Sequence, residues 1–169
     1  MVKFLEGDIF SYISSGNFDV ALHGCNTQSV QKAGIAVMFN KIFNTTKFPM
    51  EILGPNINKL GCIDYRRFYY CGNTWSNKRP DTFIKPRQID IVNCYTQLYP
   101  GVNAEPYGIP LDYDALKLCL RKVNKIFEGQ HLDYLEFRNL DSMDAYIDEN
   151  VGSVINGWNL NEFNWMDDP

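Results

Sequence analysis

Asp19-Val20-Ala21-Leu22-His23-Gly24-Cys25-Asn26-Thr27-Gln28-Ser29-Val30-Gln31-Lys32-Ala33-Gly34-Ile35-Ala36-Val37-Met38-Phe39-Asn40-Lys41 is the stretch on which the reading of this chain turns. Residues 20–25 form a short apolar run of the kind that fills a buried strand. Ile35, Met38, Phe39, Ile42 and Phe43 then recur with the spacing of one helical face, which predicts an amphipathic helix. Between the two lie Asn26, Thr27, Gln28, Ser29 and Gln31, a polar loop that ends in Gly34 at the helix start. Such a loop offers backbone N–H groups without helical partners and the positive end of the helix dipole, which together suit a phosphate. Strand alternation puts Ala21, His23 and Cys25 on one face and Val20, Leu22 and Gly24 on the other. His23 has two readings: a satisfied core histidine, or an acid–base group near the carboxyl end of a strand, where α/β sheets bind ligands. Cys25 reads as packing, because no neighbour would lower its pKa.

Bulk properties narrow the class. A chain of 169 residues is long enough to bury a core and is read as one domain, 1–169. A net charge of −4 with no basic run argues against a nucleic-acid surface. No apolar run has membrane-spanning length, and residues 1–6 are too short and polar for a signal peptide, so no membrane partner is expected. Five cysteines without a CxxC pair fit a reducing cytoplasm better than a disulfide framework. Only His23 and His131 are available as imidazole ligands, so neither a metal site nor a cofactor is expected.

Further out, residues 1–5 read as a first strand that ends at Gly7-Asp8, where Asp8 suits the cap of the following turn. Residues 44–58 form a loop, and 62–70 is a β-rich run with Ile63, Tyr65, Phe68 and Tyr69. Residues 72–80 are polar and turn-like, and Trp75 within them is an exposed aromatic. Residues 88–95 make a central strand rich in Ile and Val. Thr96 and Gln97 follow it, either as simple turn formers or as ligand-lining groups. Residues 113–128 form a helix with an apolar stripe of Leu116, Cys119, Leu120, Val123 and Phe127, acids at its start and Gly129 at its stop. Residues 132–137 are a candidate fifth strand. Residues 138–150 are an acidic insertion with room for a short helix at 142–149.

Leu22-His23-Gly24-Cys25-Asn26 followed by Gly34-Ile35-Ala36 resembles the macro domain family, which binds ADP-ribose. The closest likeness is to its ADP-ribose 1''-phosphate phosphatase branch, including small phage-type members. Gly7-Asp8-Ile9-Phe10, Ile91-Val92-Asn93-Cys94-Tyr95-Thr96-Gln97 and Leu111-Asp112-Tyr113-Asp114-Ala115 resemble further family stretches in order and spacing. The resemblance implies an α/β fold, a three-layer mixed sheet flanked by helices, well matched over 1–137. The tail at 138–169 diverges, with the last helix or strand shortened or missing. It also implies that Asp8, with Ile9, reads adenine and that Gly34, Ile35 and Ala36 grip the pyrophosphate. Asn26 would position the distal ribose, His23 would be the acid–base group beside it, and Thr96 and Gln97 would line the ligand.

The family next has a loop of the form Ile-Gly-x-Gly-x-x-Gly and then a tryptophan. Here Val151-Gly152-Ser153-Val154-Ile155-Asn156-Gly157-Trp158 looks like a degenerate version. Gly152, Ser153, Asn156, Gly157 and Trp158 are its candidate ligand contacts. Val154 and Asn156 stand where small residues are expected, and a β-branched side chain does not favour close backbone approach to a diphosphate. Two functions follow from the resemblance. One is a hydrolase or phosphatase acting on ADP-ribose 1''-phosphate or a related ADP-ribosyl derivative. The other is a non-catalytic binder that sequesters an ADP-ribose-like nucleotide. A remnant fold used only for protein interaction is a third.

Overall fold

The computed structural model describes residues 6–16, 18–48, 54–100 and 111–127, and the backbone of short strands at 134–135, 154–155 and 158–159. Helix α1 (Ile9–Ser15) leads into β1 (Val20–Asn26) and α2 (Gly34–Phe43). Short 3₁₀ turns at Thr45–Lys47 and Ile57–Lys59 precede β2 (Ile63–Cys71), β3 (Thr74–Ser76) and β4 (Gln88–Gln97). Then come α3 (Tyr113–Ile126), β5 (Tyr134–Leu135), β6 (Val154–Ile155) and β7 (Trp158–Asn159). The main sheet runs β3-β2-β4-β1-β5, with β1 parallel to β4 and β5, and β2 antiparallel to β3 and β4. It is therefore a mixed α/β sheet.

Both faces are covered. Ala21 of β1, Ile89 and Ile91 of β4 and Phe68 of β2 pack under α1 and α2 through Ile9, Ile13, Phe39 and Phe43. Val20, Leu22, Val92 and Cys94 pack on the other face against Leu116, Cys119, Leu120, Val123 and Phe127 of the α3 segment. The α3 stripe is thus buried as its spacing predicts, with Asp112 capping the helix by accepting from the Ala115 N–H at 2.8 Å.

Several expectations change in detail. The strand expected at 88–95 continues through Gln97, so Thr96 and Gln97 are its last residues rather than a loop. The polar stretch at 72–80 contains β3, which closes a hairpin on β2. Its Trp75 is not an exposed ring: it packs 5.8 Å from Phe43 and 5.1 Å from Tyr70, centroid to centroid. The spacing puts Met38 on the apolar face of α2, yet it is 40% exposed, and Phe39 and Phe43 carry that face. Residues 1–5, 128–133, 136–153 and 160–169 lie outside the described residues, so the expected first strand, the acidic insertion and its short helix do too. Of the candidate loop at 151–158, the described part is the antiparallel pairing of Val154 with Asn159 and Ile155 with Trp158. Among the described residues, no helix is long and apolar enough to cross a membrane.

Candidate functional site

Parallel pairing of β1 and β4 brings their carboxyl ends together. Asn26 stands opposite Gln97, and the Thr27 N–H donates to the Gln97 carbonyl at 2.9 Å. Thr27 is fully buried and works as a rivet. Its Oγ1 donates to the Leu98 carbonyl at 2.7 Å and accepts from the Asn56 N–H at 3.1 Å. The loop between β1 and α2 is held from within by Asn26, whose Nδ2 donates to the Val30 carbonyl at 2.7 Å while Oδ1 accepts from the Val30 N–H at 3.1 Å. This local bonding is what an asparagine does best at the end of a strand. It leaves Asn26 only its second amide proton and one lone pair for a ribose.

Gly34 opens α2 at φ 58°, a conformation that costs glycine little, and an added Cβ there would meet open space. Ala33 precedes it as the cap residue and supplies no side-chain hydrogen bond. The first-turn N–H groups of α2 are therefore not claimed by a capping side chain. Ile35 is half-buried against the aromatic core and Ala36 is half-buried beside it, so backbone rather than side chain is what this turn offers a ligand.

His23 is placed differently from an acid–base group. Its ring is fully buried and stacked on Phe39, with centroids 4.3 Å apart. Burial lowers its pKa to about 4, opposed by Asn93, which lies near enough to favour the charged ring slightly. Near neutrality the ring is an uncharged part of the core. Cys25, two residues on, is buried, accepts from Gln31 Nε2 at 3.3 Å, and has its thiol pushed up by burial. Thr45 Oγ1 in turn donates to Gln31 Oε1.

Asp8 caps α1. Its oxygens accept from the Phe10 N–H at 3.3 Å, the Ser11 N–H at 3.1 Å and the Ser11 hydroxyl at 2.9 Å, while the residue itself is exposed. Ile9, read as a ligand contact, is 2% exposed and belongs to the core under α1. Thr96 is fully buried, and its Oγ1 has no hydrogen-bond partner among the described residues. Gln97 is half-buried and is bridged to Leu111 through the backbone. Gly152, Ser153, Asn156 and Gly157 lie outside the described residues, as does the Trp158 side chain.

A polar cluster that sequence reading missed occupies the same end of the sheet. Asp64 of β2 pairs in register with Asn93 of β4, and Asn93 pairs with His23 of β1, so one polar row crosses three strands. Asp64 Oδ1 accepts from Asn93 Nδ2 at 3.0 Å and Oδ2 accepts from the Tyr95 hydroxyl at 2.5 Å. Burial raises the Asp64 pKa, opposed by Tyr95 and then by Lys59. Burial also pushes the Tyr95 hydroxyl up. Lys59 Nζ lies 4.0 Å from the Tyr95 ring centroid and donates to Ser29 Oγ at 2.7 Å. The signal that could have found this cluster is a carboxylate and an asparagine on inward positions of two strands otherwise rich in Ile, Tyr, Phe and Val.

No protein-family model and no curated protein matches the chain. Among solved structures it is similar to a protein of unknown function from Bacteroides thetaiotaomicron. The two are 21% identical over 73% of this chain and 68% of that one, with a TM-score of 0.44. A second protein from the same bacterium, known from an X-ray crystal structure, is 19% identical over 65% of this chain and 61% of its own, with a TM-score of 0.39.

Proposed function

We propose that the chain binds an ADP-ribose-type nucleotide in the loops at the carboxyl ends of β1 and β4, as a macro-domain-like protein. The observation that carries this reading is the Asn26–Gln97 register, with Thr27 bonded to Gln97. It sets the β1–α2 loop, the uncapped start of α2 and the end of β4 side by side. The N–H groups of Gly34, Ile35 and Ala36 would face the diphosphate, and a positive helix end favours such an anion. Asp8 would accept from the adenine amino group with lone pairs left over from capping. An intracellular nucleotide and five unpaired cysteines fit a reducing compartment, so a cytoplasmic location goes with this proposal.

Binding without turnover is the better-supported form, because His23 is sealed in the core and uncharged near neutrality. One observation favours a hydrolytic form. Asp64 is a half-buried carboxylate with a raised pKa beside Tyr95 and Lys59, the kind of environment that suits proton transfer. In hydrolysis of ADP-ribose 1''-phosphate, Asp64 would take a proton from water as the water oxygen bonds to phosphorus, and would pass it to the sugar oxygen as the bond from phosphorus to that oxygen breaks, giving ADP-ribose and phosphate.

Isothermal titration with adenosine, ADP and ADP-ribose tests the binding reading, and no heat from any of them refutes it. Phosphate release from ADP-ribose 1''-phosphate by the wild type, absent in Asp64→Asn, separates enzyme from binder. A chain ending at Asn150 tests residues 151–158. A loss of more than about tenfold for ADP-ribose alone, with adenosine unchanged, makes them a phosphate loop.

A further inference from the structure

Residues 77–87, Asn-Lys-Arg-Pro-Asp-Thr-Phe-Ile-Lys-Pro-Arg, join β3 to β4. They carry the two most exposed large hydrophobic residues among those described, Phe83 at 111% and Ile84 at 81%. Exposure this complete means that the tip of the loop protrudes and that neither side chain supports the fold. The loop is nonetheless fixed at both ends. The Lys78 N–H donates to Ser76 Oγ at 3.1 Å. The Arg87 guanidinium donates to the Ser14 carbonyl of α1 and lies 5.3 Å from the Tyr70 ring centroid. The Arg87 carbonyl accepts from the Tyr70 N–H at 2.9 Å. At the tip, Thr82 Oγ1 accepts from the Ile84 N–H and donates to the Ile84 carbonyl, both at 3.0 Å. Pro80 and Pro86 stiffen the backbone on either side. Two apolar side chains are thus held outward on a preset turn, which lowers the entropy lost when they meet a partner.

Charge surrounds them. Lys78, Arg79 and Lys85 are exposed, and none of the three is in an ion pair among the described residues. Asp81 is the only acidic residue of the loop, so four cations against one carboxylate leave it at +3 in a chain whose net charge is −4.

We propose that this loop is a docking surface for an anionic bilayer, with Phe83 and Ile84 entering the headgroup boundary and Lys78, Arg79 and Lys85 meeting acidic headgroups. A bilayer yields to a protruding apolar pair, whereas a folded partner would need a pocket for each side chain. Ile84 has no π face, so the pair is not the stacking platform of a single-strand binder. The expectation of no membrane partner rests on the lack of a spanning run, and docking on a surface needs none. The loop enters β4 at Gln88, the end opposite Gln97, so this proposal stands apart from the nucleotide reading.

The test is co-sedimentation of the full chain with vesicles of phosphatidylcholine, alone or with about 30% phosphatidylserine, at low salt. The wild type should partition onto the acidic vesicles about tenfold or more better than onto the neutral ones. Phe83→Ser combined with Ile84→Ser should lower that partitioning about fivefold or more, and so should Lys78→Gln combined with Lys85→Gln. Phe83→Leu should keep it. Urea midpoints should not move, because these side chains are exposed. Phe83→Trp should add fluorescence that brominated acyl chains quench beyond any quenching of the wild type. A wild type that ignores acidic vesicles, or a folded double serine variant that partitions as before, overturns the docking surface. Binding to oligothymidylate or polyglutamate in place of vesicles, lost in the same variants, also overturns it. Should the double serine variant not fold, Phe83→Trp decides, and an unquenched tryptophan overturns the proposal.

Discussion

His23 lies on Phe39 with the two ring planes 3° from parallel and the centroids 4.3 Å apart. That contact joins the strand carrying the candidate site to the helix that would meet the phosphate, and it makes the histidine part of the fold's pH response. In the folded chain its pKa is about 4, against 6.5 when unperturbed. Between those values the unfolded chain binds a proton that the folded chain rejects. Stability therefore rises with pH through this window, and falling from pH 6.5 to 4 removes up to about 3 kcal/mol. His23→Leu should flatten that slope in urea unfolding at pH 4.5 to 7. An unchanged slope would mean that the ring protonates in the folded state.

Asp64 acts in the opposite sense. Its folded pKa lies above its ordinary value, so the folded chain holds the proton longer than the unfolded one. The stability from this group is present at low pH and lost as pH rises above 3.8. Asp64→Asn should cost about 1–3 kcal/mol near neutrality, because an amide cannot accept from both Tyr95 and Asn93. The urea midpoint should fall with the slope of the transition unchanged. A midpoint at the wild-type value would mean that these two hydrogen bonds contribute nothing net.

Asp8 separates a structural role from a ligand role. Asp8→Ala should lose about 1 kcal/mol through the α1 cap, whereas Asp8→Ser should keep most of it, since serine also caps. Adenine recognition by the carboxylate predicts that both variants weaken ADP-ribose by about tenfold or more. Titration showing full affinity in a folded Asp8→Ser would leave Asp8 with its cap alone.

At the other end of β4, Arg67 Nε and Nη2 donate to the two Asp90 oxygens at 2.9 and 2.7 Å, and Asp90 is 3% exposed. The aspartate holds the Arg67 guanidinium above its ordinary pKa. Arg67→Met should destabilise by about 2–4 kcal/mol, less than for a fully enclosed pair because the arginine is partly in water, and Asp90→Leu added to it should recover part. Chemical denaturation of the two variants checks both statements. A loss below about 0.5 kcal/mol in Arg67→Met would mean that the pair is solvated.

The strand–loop–helix at 20–43 was legible because its apolar spacing changes from a strand's to a helix's across one polar loop. The α3 stripe was legible for a similar reason, and so was the alternation of Ala21, His23 and Cys25. What resisted was set by tertiary partners. The ring that takes His23 out of water is Phe39, on another element. The cap that occupies Asp8 and the bond that occupies Asn26 both lie within four residues, yet spacing alone does not tell a local partner from a ligand. Asp64, Tyr95 and Lys59 come together only because β2 runs antiparallel to β4, and nothing in the residues near Asp64 announces that register. Thr27 reads as an ordinary loop residue in the sequence, whereas its hydroxyl ties three segments.

The rivet at Thr27 has a kinetic consequence. Its hydroxyl reaches Leu98 across 71 residues of sequence, while β2, β3 and β4 follow one another and pair antiparallel. Near neighbours close at small entropic cost, and long loops must be closed before they are rewarded. The β2–β3–β4 unit can thus assemble first, with β1 arriving last to make the parallel ladder. The loops of the candidate site are then completed by the slowest contact to form, and the same contact is the natural first to open. A nucleotide bound across Asn26 and Gln97 would act on the chain as a staple, slowing amide exchange in β1 before it raised the midpoint of global unfolding.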